Sequence, residues 1–385
     1  MGTSTCSTAT DLYHGRRVFW FCFSFLLALT TLYTGLILAS HHLENPWVSS
    51  VLLEDNRNYG MALHWPYFVW VESHPVSLTA TLVKNLETGE IYDLSPDLPC
   101  PSIGSNGSIS IDGDWLVLIV VCDFPTNNQH SLQAFNLVTH AVIDIEPPSG
   151  IPPDQIWPYE PEISGNRVVW HQEKWYQHHG ADVYLFDLQS QTALSLTHTS
   201  YPWIELGADI DQEWAVWDAI NQITDEHLLT AYNISTTERI TIPLPGYPYH
   251  IFPTVDQNVI VWSDNRDSSM GSDIYAFDLT TRQMFIIVTG PETQFGAKVD
   301  DGLVVYTELL VGTYDSVLLV HHLATGETYQ LYQDSTTQNQ ELGEVDIDHG
   351  VIVYEDIDFD VLLADIFLAQ QLPERLYLPI LAQSP

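Results

Sequence analysis

Two apolar residues followed by a large side chain, usually aromatic, recur along the whole chain. The copies are Phe68-Val69-Trp70, Val117-Leu118, Val168-Val169-Trp170, Ala215-Val216-Trp217, Ile260-Val261-Trp262, Val304-Val305-Tyr306 and Ile352-Val353-Tyr354. The anchors at 70, 118, 170, 217, 262, 306 and 354 lie 44 to 52 residues apart. A period of that size, filled by four short apolar runs with turn residues between them, predicts one four-stranded antiparallel blade per copy. Seven copies between residues 58 and 372 predict an all-β, seven-bladed β-propeller, and little else would fit into 385 residues.

The segment from Thr254 to Ile287 is the clearest unit. It reads as an inner strand ending at Val255, a second strand Val259 to Trp262, a third Asp273 to Leu279 and a fourth Gln283 to Ile287. Inner strands end alike, at Ile111-Asp112-Gly113, Ile163-Ser164-Gly165, Ile210-Asp211-Gln212, Val255-Asp256-Gln257, Val299-Asp300-Asp301 and Ile347-Asp348-His349. The β-branched residue suits packing between blades, and the Asp or Ser suits bonding the backbone of the tight turn that follows. The first copy departs from this with His64-Trp65-Pro66. Third strands end in Asn85-Leu86, Phe135-Asn136-Leu137, Phe186-Asp187-Leu188, Tyr232-Asn233-Ile234, Phe277-Asp278-Leu279 and His322-Leu323. Their Asn, Asp or His is expected to cap the turn into the outer strand, a structural duty rather than a catalytic one. The seventh copy lacks its outer strand. Ser49 to Leu53 or Arg375 to Leu381 would close the ring, and the N-terminal segment is favoured because an outer strand precedes each inner strand elsewhere.

The run Val261-Trp262-Ser263-Asp264-Asn265-Arg266, followed by Asp273-Ile274-Tyr275-Ala276-Phe277-Asp278-Leu279, resembles the repeat of the TolB-like, WD40-like β-propeller superfamily, and Asp182 to Leu188 repeats its second half. The resemblance covers about residues 58 to 370. It implies a propeller fold and a range of roles: protein-binding module, periplasmic partner of lipoproteins, substrate-gating domain of peptidases or, less often, polysaccharide lyase. A hydrolase domain of the peptidase kind has no room in this chain.

Residues 1 to 17 are polar and end in Arg16-Arg17, and Val18 to Ala39 then runs 22 residues without a charge. At about 1.5 Å per residue that run spans a bilayer core of roughly 30 Å. The expectation is a signal anchor over residues 18 to 40, with the N-terminal tail cytoplasmic and the propeller outside the cytoplasm at the cell membrane. Cleavage after Ala39 would instead give a secreted protein. Residues 41 to 57 form a linker and the ring-closing strand, and 373 to 385 a C-terminal tail. Asp and Glu outnumber Lys and Arg 50 to 11, a net charge of -39. Nucleic acid is excluded as a partner because no basic stripe exists to meet phosphates. Such acidity solvates a surface, and it also attracts cations and basic partners. Cys100 and Cys122 flank one predicted hairpin and, outside the cytoplasm, are expected to form a disulfide.

The chain has no GxSxG elbow, HExxH, phosphate-binding glycine loop or CxxC pair, so no residue is assigned a catalytic role. Three successive crossover loops carry aromatic-proline clusters: Trp157-Pro158-Tyr159, Tyr201-Pro202-Trp203 and Tyr247-Pro248-Tyr249-His250. They should gather on the long-loop face near the channel mouth. There they could hold sugar rings or peptide prolines, or pack between blades. His171, His178 and His179, with Glu173, belong to one loop but have no fixed ligand geometry. Asp356, Asp358 and Asp360 alternate on an extended segment, an arrangement whose repulsion Ca2+ would relieve.

The reading that follows is a non-catalytic extracytoplasmic propeller binding an envelope or extracellular protein or a polysaccharide. The alternatives are a polysaccharide-acting lyase or hydrolase with a divalent cation at the channel mouth, and a passive structural envelope protein.

Overall fold

The computed structural model describes residues 45–56, 58–73, 79–98, 109–122, 129–148, 157–174, 180–244, 251–266, 271–312, 315–333, 340–358 and 363–371. After β1 (Trp47–Asn56), blade 1 comprises β2 (Asn58–His64), β3 (Tyr67–Ser73), β4 (Thr79–Asn85) and β5 (Ile91–Asp93). Blade 2 comprises β6 (Ile109–Asp112), β7 (Trp115–Cys122), β8 (Gln129–Asn136) and β9 (Val142–Ile145). Blade 3 comprises β10 (Trp157–Ser164), β11 (Arg167–Lys174), β12 (Gly180–Asp187) and β13 (Thr192–Ser195). Blade 4 comprises β14 (Trp203–Asp211), β15 (Trp214–Asn221), β16 (Glu226–Asn233) and β17 (Arg239–Leu244). Blade 5 comprises β18 (Thr254–Asp256), β19 (Val259–Asp264), β20 (Asp273–Asp278) and β21 (Gln283–Val288). Blade 6 comprises β22 (Thr293–Asp300), β23 (Leu303–Leu309), β24 (Ser316–His322) and β25 (Thr328–Gln333). Blade 7 comprises β26 (Gln340–Asp348), β27 (Val351–Asp358) and β28 (Leu363–Gln371).

Each blade is a four-stranded antiparallel sheet in chain order, except the last, whose order is β1-β28-β27-β26. The N-terminal strand therefore closes the ring, with Trp47 opposite Gln371 and Val51 opposite Phe367. Closure pairs the edge of β28 that an open ring would leave exposed.

The anchor residues explain why the blades stack. Trp70, Leu118, Trp170, Trp217, Trp262, Tyr306 and Tyr354 are all buried, and each lies on a face turned to a neighbouring blade. Seven apolar clusters result, one for each pair of adjacent blades. Removing some 200 Å² of ring from water at about 25 cal/mol per Å² makes each aromatic anchor worth about 5 kcal/mol before entropy is counted. The Asn and Asp caps are present, whereas His322 Nε2 is buried without a hydrogen-bond partner among the described residues. Asn85 Oδ1 accepts from the N–H groups of Glu87 and Thr88, Asn136 Oδ1 from Thr139, Asn233 Oδ1 from Thr236, and Asp278 Oδ1 from Thr280 and Thr281.

At the ends of the inner strands the bonding differs from the sequence expectation in one respect. The terminal Asp or Ser accepts from the turn of the next blade. Asp112 accepts from Gly165 N, Ser164 Oγ from Gln212 N at 2.9 Å, Asp211 from Gln257 N at 2.6 Å and Asp348 from Trp65 N at 2.7 Å. Asp256 and Asp300 meet the turns of blades 6 and 7 in the same way. An inner strand lines the channel, so its channel-side N–H groups have no partner strand. Side-chain acceptors from the preceding blade supply one.

Candidate functional site at the channel and its long-loop mouth

The same rule operates deeper in the channel. Ser110 Oγ accepts from Ile163 N at 3.2 Å, Asp209 from Val255 N at 2.7 Å, Asp346 from Leu63 N at 2.8 Å and Glu344 from Met61 N at 3.1 Å. Because strand edges present donors to these positions, the lining is rich in carboxylates. The channel encloses about 660 Å³. Lys298 is the only lysine or arginine among the described residues that line it. Its Nζ lies 3.0 Å from Asp346 Oδ1.

So many carboxyls in a narrow ring cannot all ionise freely. Burial, reinforced by Asp209, pushes Glu162 up to about 8. Burial likewise takes Glu344 and Glu160 to about 7 and Asp209 to about 6. Nearer the short-turn end, burial with the charge of Asp348 raises Asp300 to about 7. Burial alone would lower the pKa of Lys298, but Asp346, Glu162 and Glu344 outweigh it and hold the ammonium above its ordinary value.

Local backbone geometry shapes the mouth. Inner strands carry a register shift, between Tyr159 and Glu162, Leu206 and Asp209, Phe295 and Lys298, and Leu342 and Val345. Such bulges bend the strand and re-aim its side chains. Gly207, at φ 59°, needs its missing side chain twice: the backbone is left-handed, and a Cβ would stand 3.2 Å from the Phe252 ring. Phe252 thus packs over blade 4 while remaining 52% exposed at the mouth.

A second cavity, of about 770 Å³, opens between blades 5 and 6 on the long-loop face. Ile251, Phe252, Phe295, Ala297 and Val345 give it apolar walls, with Ser263, Asn265, Ser272, Thr293 and Thr307 as polar lining. Lys298 and Glu344 line both this cavity and the channel.

Of the residues singled out from sequence, Trp157 begins β10 and its ring centroid is 4.5 Å from that of His130. Tyr159 stacks on His171 at 5.4 Å. Trp203 begins β14 and packs against the apolar cluster between blades 3 and 4, whereas Tyr201 is 54% exposed. None of these four lines the second cavity. Tyr247, Tyr249 and His250 lie outside the described residues. Sequence reading passed over Phe252, Phe295 and Lys298, for none belongs to a recognisable motif. The Phe252-Pro253 pair, two residues after Tyr247-Pro248-Tyr249-His250, was the available signal.

His171 is buried, with Nδ1 3.5 Å from Glu160 Oε2. His178 and His179 lie outside the described residues, as do Asp360 and Cys100, and with it any Cys100–Cys122 disulfide. Asp356 and Asp358 alternate along β27, and Asp356 Oδ2 accepts from the Tyr332 hydroxyl of blade 6 at 2.5 Å. Among the described residues no group of three or more His, Cys, Asp or Glu is arranged to hold a metal ion. Nor is any described helix long and apolar enough to cross a membrane, and the run Val18 to Ala39 lies outside those residues.

The chain matches no protein-family model and no curated protein. Solved structures do match. Puromycin hydrolase, as an S511A mutant complexed with PGG, aligns at 13% identity and TM-score 0.58, covering 80% of this chain and 53% of that one. The propeller domain of the Trilobed protease from Pyrococcus furiosus aligns at 12% identity and TM-score 0.56, covering 83% and 99%. That propeller is described as having an open velcro topology, whereas β1 closes the ring here. TolB from Acinetobacter baumannii aligns at 10% identity and TM-score 0.45, covering 80% and 81%. The chain spans about half the length of the acylaminoacyl peptidases it matches. At these identities the likeness is one of fold. In fold, the chain is an all-β, seven-bladed propeller of four-stranded antiparallel blades.

Proposed function

We propose that the chain is a non-catalytic binding propeller, held at the cell membrane with the propeller outside the cytoplasm, which takes a partner protein at its long-loop face. The observation that carries this reading is the apolar-walled cavity between blades 5 and 6, open at the mouth and sharing Lys298 and Glu344 with the lining of the channel. Concave, mostly apolar sites with a few convergent polar groups are the usual form of a binding site. The channel carboxylates are already engaged as acceptors for inner-strand N–H groups, a structural use that leaves catalysis unnecessary to explain them. The apolar run Val18 to Ala39 supports the membrane placement.

One feature favours the alternative of a polysaccharide-acting enzyme with a divalent cation such as Ca2+. Glu160, raised to about 7, stands beside His171 near the channel, the kind of pair that can exchange a proton.

A pull-down from envelope extract with the full chain and a Phe252→Ala, Phe295→Ala variant separates the readings. A partner captured by the first and lost by the second supports binding at this mouth. Equal capture by both removes the cavity from recognition. Turnover of a polysaccharide panel that is lost in Glu160→Gln replaces binding with the enzyme.

A further inference from the structure

The proposed binding site has a pronounced electrostatic bias. Where the cavity between blades 5 and 6 meets the channel, one ammonium, that of Lys298, faces the carboxyl of Glu344, which lines both, and those of Asp346 and Glu162, which line the channel. The other carboxylate of the lining, Asp264, is closed off by Arg266, which binds it through both the backbone and the guanidinium. Acid is therefore in excess around Lys298 where cavity and channel meet, while the cavity walls are apolar. The whole chain, at -39, adds a field of the same sign.

We propose that the occupant of this cavity is an extended segment of a partner protein carrying a lysine or arginine flanked by apolar residues. The cation goes down to Glu344, and the flanking side chains lie against Phe252 and Phe295. This rests on the reading of the long-loop face as a binding surface and names the chemistry of what binds there. The charge complementarity decides against two other occupants. A second copy of this chain would bring a further -39 to the contact, and an acidic segment would meet carboxyls that burial already discourages from ionising. A cation at Glu344 relieves that penalty, because a charge-assisted hydrogen bond favours the ionised carboxyl.

The test uses three fluorescent octapeptides, acetylated and amidated, with leucine and phenylalanine around a central lysine, norleucine or glutamate. Fluorescence anisotropy with the full-length chain reads their binding. The lysine peptide is expected to bind at least about tenfold more tightly than the norleucine peptide, since both offer the same apolar body and one adds the charge-assisted bond. Glu344→Gln keeps an acceptor for Met61 N and should abolish the difference. Glu87→Gln, which removes one charge from the exposed β4–β5 turn, should preserve it and so separates local from overall attraction. Equal binding of lysine and norleucine peptides, an unaltered preference in Glu344→Gln, or no binding of the lysine peptide overturns the inference. Should the envelope pull-down still depend on Phe252 and Phe295 in that event, the binding reading stands and only the chemistry of the occupant falls.

Discussion

The carboxylate of Asp348, at the end of the inner strand of blade 7, accepts the backbone N–H of Trp65 on blade 1 at 2.7 Å. Two residues apart along the same strand, Asp346 and Glu344 repeat the contact with Leu63 and Met61. Three alternate acidic side chains thus play the part of a neighbouring strand at the seam where the ring closes.

Asp348→Ala should destabilise the protein by about 1–3 kcal/mol, the cost of leaving a partly buried N–H without its acceptor. Asp348→Asn retains an acceptor oxygen and should cost less than half as much. Urea unfolding followed by tryptophan fluorescence measures both. Equal losses would mean that the negative charge, rather than the hydrogen bond, holds the seam.

Trp47 opens β1, pairs with Gln371 and is only 6% exposed within the cluster between blades 6 and 7. Trp47→Ala should remove about 3–5 kcal/mol. It should also loosen the strand that covers the edge of β28, so concentration-dependent association is expected on size-exclusion chromatography. A destabilised variant that stays monomeric at high concentration would show that the remainder of β1 keeps the edge paired.

The repeat made the blade number, the aromatic anchors and the Asn or Asp turn caps legible, because each depends on contacts fixed by local spacing. Trp262 is buried for the same reason as Trp170 and Trp217, and the alternation of the second strand states it. The site was less legible. Asp209, Glu162 and Asp346 come together in the channel lining, a grouping that spacing does not reveal, because which face of an inner strand turns inward depends on a bulge that no motif announces. Phe252 and Lys298, 46 residues apart, meet at one mouth only when two blades are docked. The clusters around Trp157 and Trp203 drew attention through composition, and they serve packing at least in part.

Stability should fall as pH rises from about 5 to about 8. Burial raises Glu162 and Glu205 to about 8, and Glu344 and Asp300 to about 7, so over that window the folded chain holds more protons than the unfolded one. His349, raised by its bond to Asp348, acts in the same direction. His130 and His321, lowered by burial, oppose it below about neutral pH. Lys298, raised above its ordinary value of 10.5, contributes equally throughout the window. Calorimetry at several pH values reads the trend, and a melting temperature that climbs between pH 6 and pH 8 would contradict it.

Lys298→Met tests the same electrostatics from the other side. Removing the cation leaves Asp346, Glu162 and Glu344 facing one another. With a third of its side chain open to the channel, the loss should be about 2 kcal/mol at pH 8, below the figure for a fully buried pair. At about pH 5.5 Glu162 and Glu344 take up protons instead of repelling, and the loss should shrink. The variant is therefore expected to melt with a steeper dependence on pH than the parent chain. Parallel curves for the two proteins would mean that water in the channel, rather than Lys298, balances the carboxylates, and the cation would then be a packing element of blade 6.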